Sequence, residues 1–125
     1  MPAASEDRST IAAFLRGRTE VVDPMFAQFN LRLVSYNFKI RPDYGIELVF
    51  EIAALDGPSL RVCEDSCGVL VKANLYDESG SILDSASSSV SGDGFSGYDT
   101  GEIWFLDEGI ALAADSVRLF VVNWG

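Results

Sequence analysis

The sequence predicts an all-β domain, an antiparallel sandwich of two sheets preceded by one short α-helix. Three observations carry this. Beyond residue 29, several segments alternate apolar and polar residues with the period of two that marks a half-buried strand. The links between them are rich in Gly, Pro, Asp and Ser and too short for a ladder of crossover helices. A single stretch near the N terminus has helical spacing instead.

That stretch is residues 5–18. Ser5 suits an N-cap, Glu6 and Asp7 suit the positive end of the helix dipole, and Arg16 and Arg18 suit the negative end. Ile11, Phe14 and Leu15 fall on one face, and Gly17 offers a stop. This helix and arm, residues 1–28, is expected to pack on the body of the domain, residues 29–125, or on a second copy. In the body, residues 30–40 place Val34, Tyr36, Phe38 and Ile40 on one face of a strand. Residues 45–54 place Ile46, Leu48, Phe50 and Ile52 on one face and Glu47 and Glu51 on the other. Pro42, Asp43 and Gly45 lie between these segments and turn them into a hairpin.

Residues 55–67 are irregular, with Gly57-Pro58. Residues 68–76 resume the alternation with Val69, Val71, Ala73 and Leu75, turn at 77–80, and return as a strand over 82–91. Ser85, Ser87, Ser88 and Ser89 make that return strand too polar for a central position, so it belongs at a sheet edge. Residues 91–101 read as a Gly/Ser/Asp loop, and strands at 102–106 and 116–124 bring the count to at least six, the pattern of a sandwich or open barrel.

The hairpin Gly-Val-Leu-Val-Lys-Ala-Asn-Leu-Tyr-Asp-Glu-Ser-Gly-Ser-Ile-Leu-Asp over 68–84 resembles the central hairpin of FxLYD-type domains, with Leu75-Tyr76-Asp77 at the strand end and an acidic, Gly-containing turn after it. Ala73 stands where those domains carry the Phe, and the similarity extends as a pattern over roughly 29–124. The resemblance implies an immunoglobulin-like sandwich and a binding role, with no catalytic residues.

Histidine is absent from all 125 residues. That removes Ser-His and Cys-His nucleophile systems and every zinc site that uses imidazole. No Gly-rich loop matches a phosphate-binding fingerprint, and the two lysines, Lys39 and Lys72, do not follow a serine at nucleophile spacing. With fifteen acidic residues after Pro42, a suitably spaced carboxylate pair carries almost no information. The chain is therefore expected not to be an enzyme and to need no cofactor.

The net charge is −10, and it is uneven. Up to Pro42 six basic residues meet four acidic ones; from Asp43 onward three meet fifteen. Such a surface repels nucleic acid and anionic lipid, and it suits either solubility alone or a protein partner with a basic surface. No apolar run reaches the ~18 residues of a membrane span, and the N terminus lacks the basic, apolar order of an export signal, which favours a cytoplasmic location.

Cys63 and Cys67, in Cys-Glu-Asp-Ser-Cys, leave two readings open: two reduced thiols or a local disulfide. Redox chemistry is disfavoured, because Glu64 and Asp65 would raise the thiol pKa. Asp93, Asp99 and Glu102 could gather near a calcium ion, but Phe95 and Gly97 occupy ligand positions of the EF-hand pattern, and no metal is expected. Aromatic residues exceed what a small core must use, and alternation forces Trp104 and Phe105 onto opposite faces. Either the helix covers the surplus or it forms an interaction surface, which a homo-oligomer would also use. The expected function is a non-catalytic interaction or ligand-binding module, with Glu47, Glu51, Glu78, Trp104 and Trp124 as interaction residues. The alternative is a small acidic inhibitor, of the immunity-protein type, masking a basic site.

Overall fold

The structure, a computed structural model describing residues 4–62 and 65–124, is mainly β and divides its strands between two sheets that do not close into a barrel. The elements run α1 (Ala4–Gly17), β1 (Thr19–Val21), α2 (Asp23–Gln28), β2 (Leu31–Ile40), β3 (Ile46–Ala54), β4 (Gly68–Tyr76), β5 (Ile82–Ser91), β6 (Tyr98–Phe105), α3 (Ile110–Ala113) and β7 (Ser116–Trp124). One sheet has the order β1-β7-β4-β5 and the other β2-β3-β6. Hairpins β2–β3 and β4–β5 form as the alternation requires, and β5 lies at a sheet edge, where its serines predict it.

Both sheets turn one face into a single core. Ile46, Leu48, Phe50 and Ile52 of β3 meet Val69, Val71, Ala73 and Leu75 of β4, with Ile103 and Phe105 of β6 and Val117, Leu119 and Val121 of β7. Complete burial of each such aliphatic or aromatic side chain stabilises by roughly 1.5–3 kcal/mol, so the period-two register is what holds the sheets together. Leu15 of α1 and Phe26 of α2, both ahead of residue 29, are fully buried in the same cluster. Helix α1 lies along β2, and β5 approaches β6 on another flank.

Four sequence expectations are corrected. Val34 is 42% exposed rather than aligned with Tyr36 and Phe38, because pairing with β3 skips it between Leu33 and Ser35. That bulge moves the inward phase from odd to even residues, from Leu31 and Leu33 to Phe38 and Ile40. Phe14 is 46% exposed, although Leu15 is buried and Ile11 partly so. Ile11 and Leu15 stack one turn apart, whereas Phe14 turns about 100° away and receives the Arg18 guanidinium over its ring. The 91–101 loop gives way to strand at Tyr98, since β3 pairs with β6 as far as Ala53 opposite Tyr98. Lastly, the pairing is not antiparallel throughout: β1, an element the alternation did not reveal, runs parallel to β7.

Buried Asn30, 6% exposed and at φ 66, fixes the irregular segment after β3. Its Nδ2 donates to the carbonyls of Asp56 (2.7 Å) and Ser59 (2.8 Å), and its Oδ1 accepts from the Asp56 N–H (3.0 Å). Asn tolerates the left-handed conformation better than most residues and carries both the donor and the acceptor this position requires.

Candidate functional site

The candidate site is the face of the β2-β3-β6 sheet turned away from the core, over which a groove lies. Antiparallel register arranges its side chains in rows across the three strands: Ser35–Glu51–Thr100, then Asn37–Val49–Glu102, then Lys39–Glu47–Trp104. Arg32, Ala53 and Tyr98 make a further row beyond Ser35. A shallow groove of about 710 Å3 runs over the middle rows. Gly101 lies beneath it, covered from the core side by the Phe50 ring.

Hydrogen bonds tie this face into a network. Glu51 accepts from the Tyr98 hydroxyl and, through Oε1, from Ser35 Oγ (2.8 Å). The Trp104 indole N–H donates to Glu102 Oε2 (2.8 Å). Arg41 reaches Glu47 (3.1 Å), and its guanidinium lies 5.6 Å from the centre of the Trp104 ring. The bonds from Tyr98 and Ser35 hold the Glu51 carboxyl below its ordinary range, and the same contact pushes the Tyr98 hydroxyl up. Tyr98, which lines one end of the groove, and Trp104, one row beyond its other end, remain 54% and 43% exposed. Helix α1 packs on β2 and leaves these rings uncovered.

Three of the five residues expected at an interaction surface, Glu47, Glu51 and Trp104, therefore share one face. The other two do not join them. Glu78 sits in the turn between β4 and β5, and Trp124, half-buried, ends β7 on the outer side of the other sheet, opposite Gly68. Sequence reasoning missed Tyr98 and Arg41 and named Glu102 only as a calcium-ligand candidate. The signal was present in Tyr98, Thr100, Glu102 and Trp104, which alternate once the strand is allowed to begin at Tyr98.

A second concentration of charge lies at one end of the sheets. Backbone bonds from Gly109 to Asp43 (2.8 Å), from Ala111 to Tyr44 (2.9 Å) and from Asp115 to Tyr76 (2.8 Å) bring three chain segments together. Asp43, Asp77, Glu78, Asp107 and Glu108 belong to those segments. Asp77 Oδ1 accepts from Ser79 and Ser81, which lowers its pKa.

Among the described residues no group of three or more Asp, Glu or Cys could hold a metal ion, so Asp93, Asp99 and Glu102 do not converge. Asp99 and Glu102 stand on opposite sides of β6 by register, opposite inward Ile52 and outward Val49. Cys67 is exposed; Cys63 lies outside the described residues, and with it the choice between a local disulfide and two reduced thiols. Among the described residues no helix is long and apolar enough to cross a membrane.

No protein-family model matches the chain, and no curated protein matches it. Among solved structures, it is similar to a chain in the crystal structure of accessory secretory protein 1,2 and 3 in Streptococcus pneumoniae, at 12% identity over 74% of this chain and 87% of that one. The TM-score is 0.19, too low for a shared fold, and this likeness carries no argument.

Proposed function

We propose that the chain is a non-catalytic interaction module, an immunoglobulin-like sandwich of the FxLYD type, which engages its partner through the outer face of β2-β3-β6. The observation that carries this reading is the pair of exposed rings, Tyr98 and Trp104, flanking an open groove whose carboxylates are already oriented by hydrogen bonds. Exposed aromatics with a polar handle are typical of binding surfaces. The sandwich type is supported by the chain path: the connections β3 to β4, β5 to β6 and β6 to β7 each pass from one sheet to the other. The Leu75-Tyr76-Asp77 hairpin supports the FxLYD likeness.

One observation favours a second reading, the acidic inhibitor. The segments carrying Asp43, Asp77, Glu78, Asp107 and Glu108 meet at one end of the sheets, and acidic side chains there suit a basic site on another protein. Photoreactive residues placed singly at Thr100, Lys72 and Glu108 separate the two in living cells. The face reading predicts a discrete protein adduct from Thr100 and none from the other two positions. An adduct from Glu108 alone supports the inhibitor reading instead, and one from Lys72 alone contradicts both.

A further inference from the structure

Resting on the reading of the β2-β3-β6 face as the docking surface, we infer that its occupant is an extended peptide segment carrying Lys or Arg at alternate positions. Charge layout argues for this first. The two middle rows of the face hold Glu51 and Glu102 and no cation. Arg41 is committed to Glu47 and Asp43, and among the described residues neither Glu51 nor Glu102 has an ion-pair partner. Their hydrogen bonds from Ser35, Tyr98 and Trp104 come from neutral donors, which orient the carboxylates without cancelling their charge. The other cations of this face, Arg32 and Lys39, stand on β2 at its two ends, so a basic occupant is directed over β3 and β6.

Spacing argues for an extended chain. Glu51 lies opposite Thr100, and Glu102 is two residues further along the neighbouring strand, a diagonal pair about 7–8 Å apart. Alternate residues of an extended segment project to the same side about 7 Å apart, so two of its cations reach both carboxylates in one register. Tyr98 and Trp104 are separated by six positions along β6, about 20 Å, which matches roughly six extended residues. The exposed Tyr98 ring supplies apolar and cation–π contact at one end, and Trp104, whose ring already carries the Arg41 guanidinium, supplies apolar contact at the other. The net charge of −10 draws such a segment in from solution.

The test uses a fluorescent decapeptide of alternating Arg and Ser, titrated at physiological ionic strength and followed by anisotropy. Three proteins are compared: the parent, Glu51→Gln/Glu102→Gln, and Asp107→Asn/Glu108→Gln, which removes the same charge from the acidic end. The inference expects the face variant to bind at least tenfold more weakly and the end variant to lose less than twofold. Equal losses in both variants, or no binding to the parent, overturn it. A decapeptide of alternating Leu and Ser, titrated into the parent and into Trp104→Ala, distinguishes this failure from failure of the wider reading. Binding that depends on Trp104 keeps the face as a docking surface while the basic chemistry falls. If neither peptide responds to any change on the face, the docking surface falls as well.

Discussion

Replacing Gly101 by alanine probes the join between the core and the proposed surface. A Cβ at Gly101 would stand 2.4 Å from Cζ and 2.8 Å from Cε2 of Phe50, and 3.0 Å from Ser88 Oγ. Real contacts of this kind are about 3.5–4 Å, so the ring must move by more than 1 Å. Phe50 is only 2% exposed and packed within the shared core, so it has little room to yield. Overpacking of a filled core costs about 1–3 kcal/mol. For a chain of this length that is a fall in Tm of roughly 3–5 °C for each kcal/mol. Equilibrium unfolding in urea, read by circular dichroism, gives the free energy directly. Phe50→Leu removes the offending ring atoms and carries its own cost in lost packing. In the double variant the two costs should therefore be sub-additive by at least ~1 kcal/mol, since residues in contact couple by about 0.5–3 kcal/mol. Additivity within ~0.5 kcal/mol, or a Gly101→Ala protein as stable as the parent, would refute the placement of Gly101 against Phe50.

Other predictions follow from single contacts. Asn30→Ala removes three hydrogen bonds and leaves alanine at positive φ, so stability should fall by about 2–4 kcal/mol in the same denaturation assay. Leu15→Ala should cost about 2–5 kcal/mol and Phe14→Ser only about 1 kcal/mol, because the first is buried in the core and the second is half exposed under the Arg18 guanidinium. Glu51, held below its ordinary value of 4.5, contributes stability that is present above that value and lost as pH falls through the lower folded-state pKa. Tyr98→Phe should move the Glu51 carboxyl titration, followed by NMR, back up towards 4.5 and shrink this acid-sensitive part; an unchanged titration would show that Tyr98 does not hold the carboxylate.

The strands legible in the sequence are those where burial alone sets the pattern. Both β3 and β4 alternate strictly because one face of each is dry, and residues 46–52 and 69–75 announced it. The polar return strand was legible as an edge because serines find water there. What stayed hidden depends on partners distant in the chain. Val34 is skipped by a register shift that only pairing with β3 imposes. Thr19–Val21 is too short to show a period, and its parallel pairing depends on β7 lying beside it. Tyr98–Gly101 looked like loop because Asp99 and Gly101 disfavour a strand reading, yet pairing with β3 overrides that preference, and Phe50 covers the glycine. The site was half legible for the same reason. Glu47, Glu51 and Trp104 stood out by residue type, whereas Tyr98 and Glu102 become neighbours of Glu51 and Val49 only through the β3–β6 register.

The most direct test of the face is a residue-by-residue NMR titration of the labelled protein with the alternating Arg-Ser decapeptide. The account predicts amide shifts confined to residues 35–39, 47–51 and 98–104, with the Trp104 indole N–H moving along the same binding curve. Shifts centred on Asp77, Glu78, Asp107 and Glu108, with the β2-β3-β6 face silent, would contradict it.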